Sequence, residues 1–121
     1  MNVLIIDDDV GITNMMSQYF TLKKHQCTIS NDGKEGIFKI THNSFDAVIL
    51  DLAMPNFSGF NVLEELQKQN LLEINYIFIL TAVNLSKDDE SNLNKYKISG
   101  ILKKPIGMSG LIKTLESNLE K

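Results

Sequence analysis

Apolar and polar positions fall into alternating blocks along this chain, and the blocks are of two kinds. Unbroken apolar runs at residues 3–6 (VLII), 47–50 (AVIL) and 76–80 (YIFIL) suit strands buried on both faces of a parallel sheet. Residues 26–30 and 100–103 predict two further short strands. Between the runs the spacing becomes helical. Ile12, Met15, Met16, Tyr19 and Phe20 lay one apolar stripe on the sheet, read as core and not as a cofactor box. Asn31, Asp32 and Gly33 make the turn into a helix whose inner face carries Gly36, Ile37 and Ile40. Val62, Leu63 and Leu66 mark a helix over residues 58–69, and Met108, Leu111, Ile112, Leu115 and Leu119 mark the closing one. Ser86 with Asp89 and Glu90 signals a helix start, but up to Tyr96 only Leu93 and Tyr96, with Leu85 just ahead, offer apolar contacts. This fourth helix is predicted to be weakly anchored.

Such a five-fold strand–helix alternation implies an α/β fold with right-handed crossovers and helices on both faces of a five-stranded, doubly wound parallel sheet. The expected strand order is 2-1-3-4-5, in one domain over residues 1–121. An apolar share of 43% and a charged share of 22% are those of a globular protein. No apolar run approaches the roughly 18 residues of a membrane span, and residues 1–9 do not resemble a signal peptide, so a cytoplasmic location is expected. Cys27 is the only cysteine and is expected to be a buried structural thiol. His25 and His42 lie in polar connections without ligand-spaced partners and are read as surface residues. A net charge of −3 supplies no field for nucleic acid or an anionic membrane.

The polar residues at the strand ends change the picture. Asp51 closes the central apolar run, where a lone Asp would ordinarily be a turn or cap residue. Asp7 and Asp8 follow the first strand, Thr81 ends the fourth and Lys104 follows the fifth, so a parallel sheet gathers all five on one edge. Three carboxylates this close raise one another's pKa unless a cation neutralises them. An oxygen-only donor set with few carboxylates and room for water favours Mg²⁺. A carboxylate can attack phosphorus when a metal and a cation stabilise the charge of the transferring group. Asp51 is placed to be that nucleophile, with Lys104 a point charge for a phosphate oxygen and Thr81 a hydroxyl donor to another.

The chain resembles, over its whole length, the receiver domains of two-component response regulators. The resemblance rests on Asp7 and Asp8 after an apolar strand, Asp51 followed by Met54, Pro55 and Gly59, the pair Thr81 and Ala82, and Lys104 with Pro105. It implies a flavodoxin-like (βα)5 fold and a phosphoacceptor signalling domain rather than an enzyme acting on an outside substrate. Asp51 would accept a phosphoryl group from a phosphohistidine of a sensor kinase or phosphotransfer protein. Mg²⁺ would be bound directly by Asp8, Asp51 and the Ala53 carbonyl, with Asp7 acting through water. The peptide before Pro105 would be cis, and Asp9 would be a helix cap. A downstream output protein or output domain, or a second copy, would meet the face formed by the fourth helix, fifth strand and fifth helix.

Three positions depart from the family pattern. Ile101 stands where an aromatic switch residue is frequent, residues 96–99 (YKIS) replace a Gly-Ala pair, and Ile106 stands where Phe commonly follows the proline. Other classes fit less well. A haloacid dehalogenase-type phosphatase needs a second Asp where Ala53 stands. A flavodoxin-type cofactor binder needs a phosphate-cradling loop where three acids stand. A pseudo-receiver, a pure interaction module, would have lost one of the five site residues, all of which are present.

Overall fold

The computed structural model describes residues 1–81, 85–105 and 107–119. Strands and helices alternate strictly: β1 (Asn2–Ile6), α1 (Val10–Leu22), β2 (Gln26–Ser30), α2 (Gly33–His42), β3 (Ala47–Asp51), α3 (Gly59–Lys68), β4 (Ile77–Thr81), α4 (Lys87–Leu93), β5 (Gly100–Lys103) and α5 (Met108–Leu119). The strands form one sheet of order β2-β1-β3-β4-β5, with every pairing parallel. The expected fold class and strand order are those observed.

The pleat explains why the central strands are apolar throughout. Leu4, Ile6, Val48, Leu50, Ile77 and Ile79 face one way, onto Ile37, Ile40, Val62, Leu63, Leu66 and Leu93 of α2, α3 and α4. Val3, Ile5, Ala47, Ile49, Phe78 and Leu80 face the other way, onto Met16, Phe20, Leu111, Ile112 and Leu115 of α1 and α5. Each fully buried Leu, Ile or Phe contributes about 1.5–3 kcal/mol of transfer free energy, so the two layers carry the fold.

Helix starts are set by side chains near the carboxyl edge of the sheet. Asp9 accepts from the Ile12 N–H at 3.1 Å, as expected of it, Asp32 from Glu35 at 2.8 Å and Ser86 from Asp89 at 3.0 Å. Ser58 and Asn61 form a reciprocal capping box at α3. Each such cap stabilises its helix by about 1 kcal/mol.

Several positions differ from the pattern-based expectation. Met15 is 49% exposed, and the buried residues of α1 are Thr13, Met16 and Phe20. The centre of the inner stripe passes through Thr13, which an apolar count overlooks. Its hydroxyl is satisfied there, donating to the Val10 carbonyl at 3.1 Å. Tyr76 lies outside β4 and is exposed. Cys27, on the edge strand β2, is only half-buried, and that burial pushes its thiol pKa up. His42 is a surface residue stacked on Phe38, but His25 is half-buried, edge-on to Phe20. Helix α4 ends at Leu93, its one buried residue, with Leu85, Tyr96 and Ile98 packed against the core from its flanks.

One glycine ties the fold to the sheet edge. A Cβ at Gly59 would lie 2.6 Å from the Asp51 carbonyl oxygen and 2.7 Å from the Leu52 Cα, both backbone atoms that cannot step aside. The substitution Gly59→Ala is therefore expected to cost about 1–3 kcal/mol, as overpacking does. Urea unfolding at neutral pH measures it, and a variant as stable as the parent would contradict the close approach of α3 to the end of β3.

Candidate functional site

Five polar residues expected at the carboxyl edge are brought there by the parallel register. Asp51 closes β3 and Thr81 closes β4, while Asp7 and Lys104 each stand one residue beyond β1 and β5. Asp7 and Asp51 are buried, at 1% and 4% exposure, and Thr81 is buried as well. Asp8 is exposed, as is Ala53. Asp7, Asp8 and Asp51 each place a carboxylate oxygen within 4.8 Å of the others.

Lys104 is the cation that holds this cluster. Its Nζ lies 3.2 Å from Asp7 Oδ2 and 3.6 Å from Asp51 Oδ1. Its own backbone N–H donates to the Thr81 carbonyl at 2.7 Å, which ties the residue after β5 to the end of β4. The Lys104–Pro105 peptide is cis, as the family resemblance implied. Burial works against the charged ammonium, but the Asp7 and Asp51 carboxylates outweigh it and hold the Lys104 pKa above its usual value.

Asp7 has a partner for each of its polar groups. Its N–H donates to the Ser30 carbonyl at 3.1 Å, and its carbonyl accepts from Asn31 Nδ2 at 2.9 Å. Its Oδ1 accepts from the Asp9 N–H at 2.9 Å, and its Oδ2 meets Lys104. Asn31, which the pattern marked only as a turn residue, thus reaches into the acid cluster. Only a contact across 24 positions reveals it. The loop after Asp51 is pinned by buried Met54, by the Gly59 N–H to the Leu52 carbonyl at 3.0 Å, and by Asn56 in the left-handed region at φ 68°.

Ile101 is 46% exposed on the edge strand β5. It borders a cavity of about 710 Å³ shared with Thr81, Leu85, Leu93 and Tyr96. Ala82 and Ile106, which also figured in the sequence pattern, lie outside the described residues.

The three carboxylates form an all-oxygen set of the kind that can hold a hard cation. Burial first, and then repulsion from Asp7, push the Asp51 pKa from the ordinary carboxylate range up to about 6, against the opposing pull of Lys104 and of the Ala53 N–H that donates to it.

The family of the response regulator receiver domain matches residues 3–116, and the chain belongs to it. Among curated relatives, the response regulator ArlR of Staphylococcus epidermidis is 26% identical over 120 residues, which is 99% of this chain and 53% of that protein. The chain thus spans about half the length of that relative. Among solved structures, the receiver domain of the Francisella response regulator 1452 aligns with a TM-score of 0.85 at 28% identity, covering 98% of this chain and 96% of that one. The response regulator protein TrrA of Thermotoga maritima, solved in complex with Mg(2+)-BeF, aligns at a TM-score of 0.81 and 24% identity over 98% and 99% of the two chains. Among the described residues no helix is long and apolar enough to cross a membrane.

The raised Asp51 pKa has a stability consequence in the metal-free protein. Because the folded-state value exceeds the unfolded one, the folded state binds the proton more tightly. The resulting stabilisation is fully present below about pH 4 and is lost as pH rises through about 6, a difference of up to about 3 kcal/mol. The substitution Asp51→Asn removes the titration. In EDTA, its advantage over the parent in urea unfolding is expected to be larger at about pH 8 than at about pH 5; equal margins at the two values would overturn the assignment of strain to the ionised Asp51.

Proposed function

We propose that this chain is a phosphoacceptor switch of a two-component system in which Asp51 receives a phosphoryl group from a phosphohistidine of a sensor kinase or histidine phosphotransfer protein. The observation that carries the reading is the setting of Asp51: a buried carboxylate in a cluster with Asp7 and Asp8, 3.6 Å from a lysine ammonium. An Asp51 oxygen attacks phosphorus, the P–O bond forms as the P–N bond to the donor imidazole breaks, and the leaving nitrogen retains the electron pair. With a pKa of about 6, Asp51 is mostly ionised at neutral pH and so competent to attack. Lys104 exchanges part of its carboxylate contact for a phosphoryl oxygen, and the Thr81 hydroxyl donates to another.

The residues that would hold Mg²⁺ are Asp8, Asp51 and the Ala53 carbonyl directly, with Asp7 through water. The exposure of Asp8, against an Asp7 whose two carboxylate oxygens already meet the Asp9 N–H and Lys104, supports that division. When bound, the ion supplies positive charge that screens the acids from an anionic donor. On this reading the domain acts in the cytoplasm, turns over no outside substrate, and binds neither nucleic acid nor membrane itself. Incubation with acetyl phosphate is expected to add the mass of one phosphoryl group only when Mg²⁺ is present, and Asp51→Asn is expected to abolish the adduct. Intact-mass spectrometry decides, and an undiminished adduct in the Asp51→Asn protein would refute the phosphoacceptor assignment.

The surface that answers phosphorylation is assigned to α4, β5 and α5, presented to an output domain, an output protein or a second copy. The support is the thin anchoring of α4, which buries Leu93 alone and borders the cavity that reaches Thr81. Hydrogen exchange with and without Mg²⁺ and beryllofluoride is expected to change protection over residues 85–96. Changes confined to α1 and α2 would place the output face elsewhere.

A further inference from the structure

We infer that Asn31 is a positioning residue for the acid cluster: its amide clamps the Asp7–Asp8 peptide to α1 and thereby sets the affinity for the divalent cation. Nδ2 donates both to the Asp7 carbonyl at 2.9 Å and to Thr13 Oγ1 at 3.2 Å. Those two acceptors belong to different parts of the chain, the end of β1 and the buried face of α1, and Asn31 reaches them from the β2–α2 turn.

The chemistry of the contact explains its reach. The Asp7 carbonyl oxygen and the Asp8 N–H share one planar peptide unit, so fixing the oxygen fixes the plane from which the Asp8 side chain departs. Asp8 is the exposed acid of the cluster, and among the described residues no hydrogen bond or ion pair holds its carboxylate. Its direction therefore depends on its backbone. Asp7, by contrast, is held at both carboxylate oxygens by Asp9 and Lys104. Thr13 fits the role of an anchor: it is wholly buried, its hydroxyl proton goes to the Val10 carbonyl, and its lone pair is left to accept from Asn31. Loss of the Asn31 amide leaves the buried Asp7 carbonyl without that donor and frees the peptide plane to rotate.

The inference rests on the cation reading above, and two measurements separate their failures. In isothermal titration with MgCl₂, the parent is expected to bind and Asn31→Ala to bind about tenfold more weakly, the scale on which groups that orient metal ligands act. In metal-free protein, the Asp8 and Asp9 amide protons of Asn31→Ala are expected to exchange faster than in the parent, while amides of β3 and β4 keep their rates. Thr13→Val, which removes the anchoring acceptor together with the hydroxyl's own bond to the Val10 carbonyl, is expected to weaken Mg²⁺ binding in the same direction but less. If the parent binds no Mg²⁺, the cation reading fails. If the parent binds and Asn31→Ala matches it in affinity and in Asp8 exchange, the clamp is refuted. Accelerated exchange throughout the sheet would likewise refute it, since Asn31 would then be serving general stability.

Discussion

Mutual repulsion of the acids at the carboxyl edge, against a single lysine, is the constraint on which this structure turns. Asp7 and Asp51 are buried, and buried carboxylates are tolerated only when paired. The partner, Lys104, arrives from 97 positions further along the chain than Asp7. The site's lysine counter-charge is therefore in place only when the last strand has joined the sheet beside β4. Loss of that one cation would leave two low-dielectric acids uncompensated, which is the costly way to break a buried pair.

The core offsets what the site costs. Two apolar layers, one on each face of a sheet whose three central strands are almost wholly inaccessible, hold the strand ends in place although the groups there repel. The end of β3 is tightly packed: Gly59 sits against the carbonyl of Asp51 itself, and Met54 of the connecting loop is buried. Such a scaffold holds Asp51 in place although burial and repulsion from Asp7 disfavour its ionised form.

Much of this was legible along the chain because parallel sheets translate sequence order into spatial order. Once residues 3–6, 47–50 and 76–80 are assigned to buried strands, the residues after them must share an edge, and Asp7, Asp51 and Thr81 do. Helix caps were equally local: Asp9, Asp32 and Ser86 each bond an amide three positions on. What escaped is non-local or lies off the centre of a stripe. Asn31 reads as a turn residue until its contacts with Asp7 and Thr13, 24 and 18 positions away, are known. Met15 matched the helical spacing of its neighbours, yet the inner face of α1 is centred on Thr13. Apolar counting cannot find a buried hydroxyl whose bonding is satisfied within its own helix and by a distant amide.

Ile101 shows how a departure from a family pattern is absorbed physically. On an edge strand and half-exposed, it lines a cavity between β5 and α4 whose wall also includes Thr81 and Tyr96. On the proposed reading, a charge change at Asp51 would reach this region through contacts that need no ring. The Lys104 side chain contacts Asp51, its backbone N–H bonds the Thr81 carbonyl, and α4 follows from the end of β4. On the same reading, a helix that itself buries only Leu93, beside open volume, would supply the second arrangement of similar free energy that a two-state response requires. Its thin anchoring beside the Thr81 end of β4 is, on the proposed reading, what fits α4 to respond.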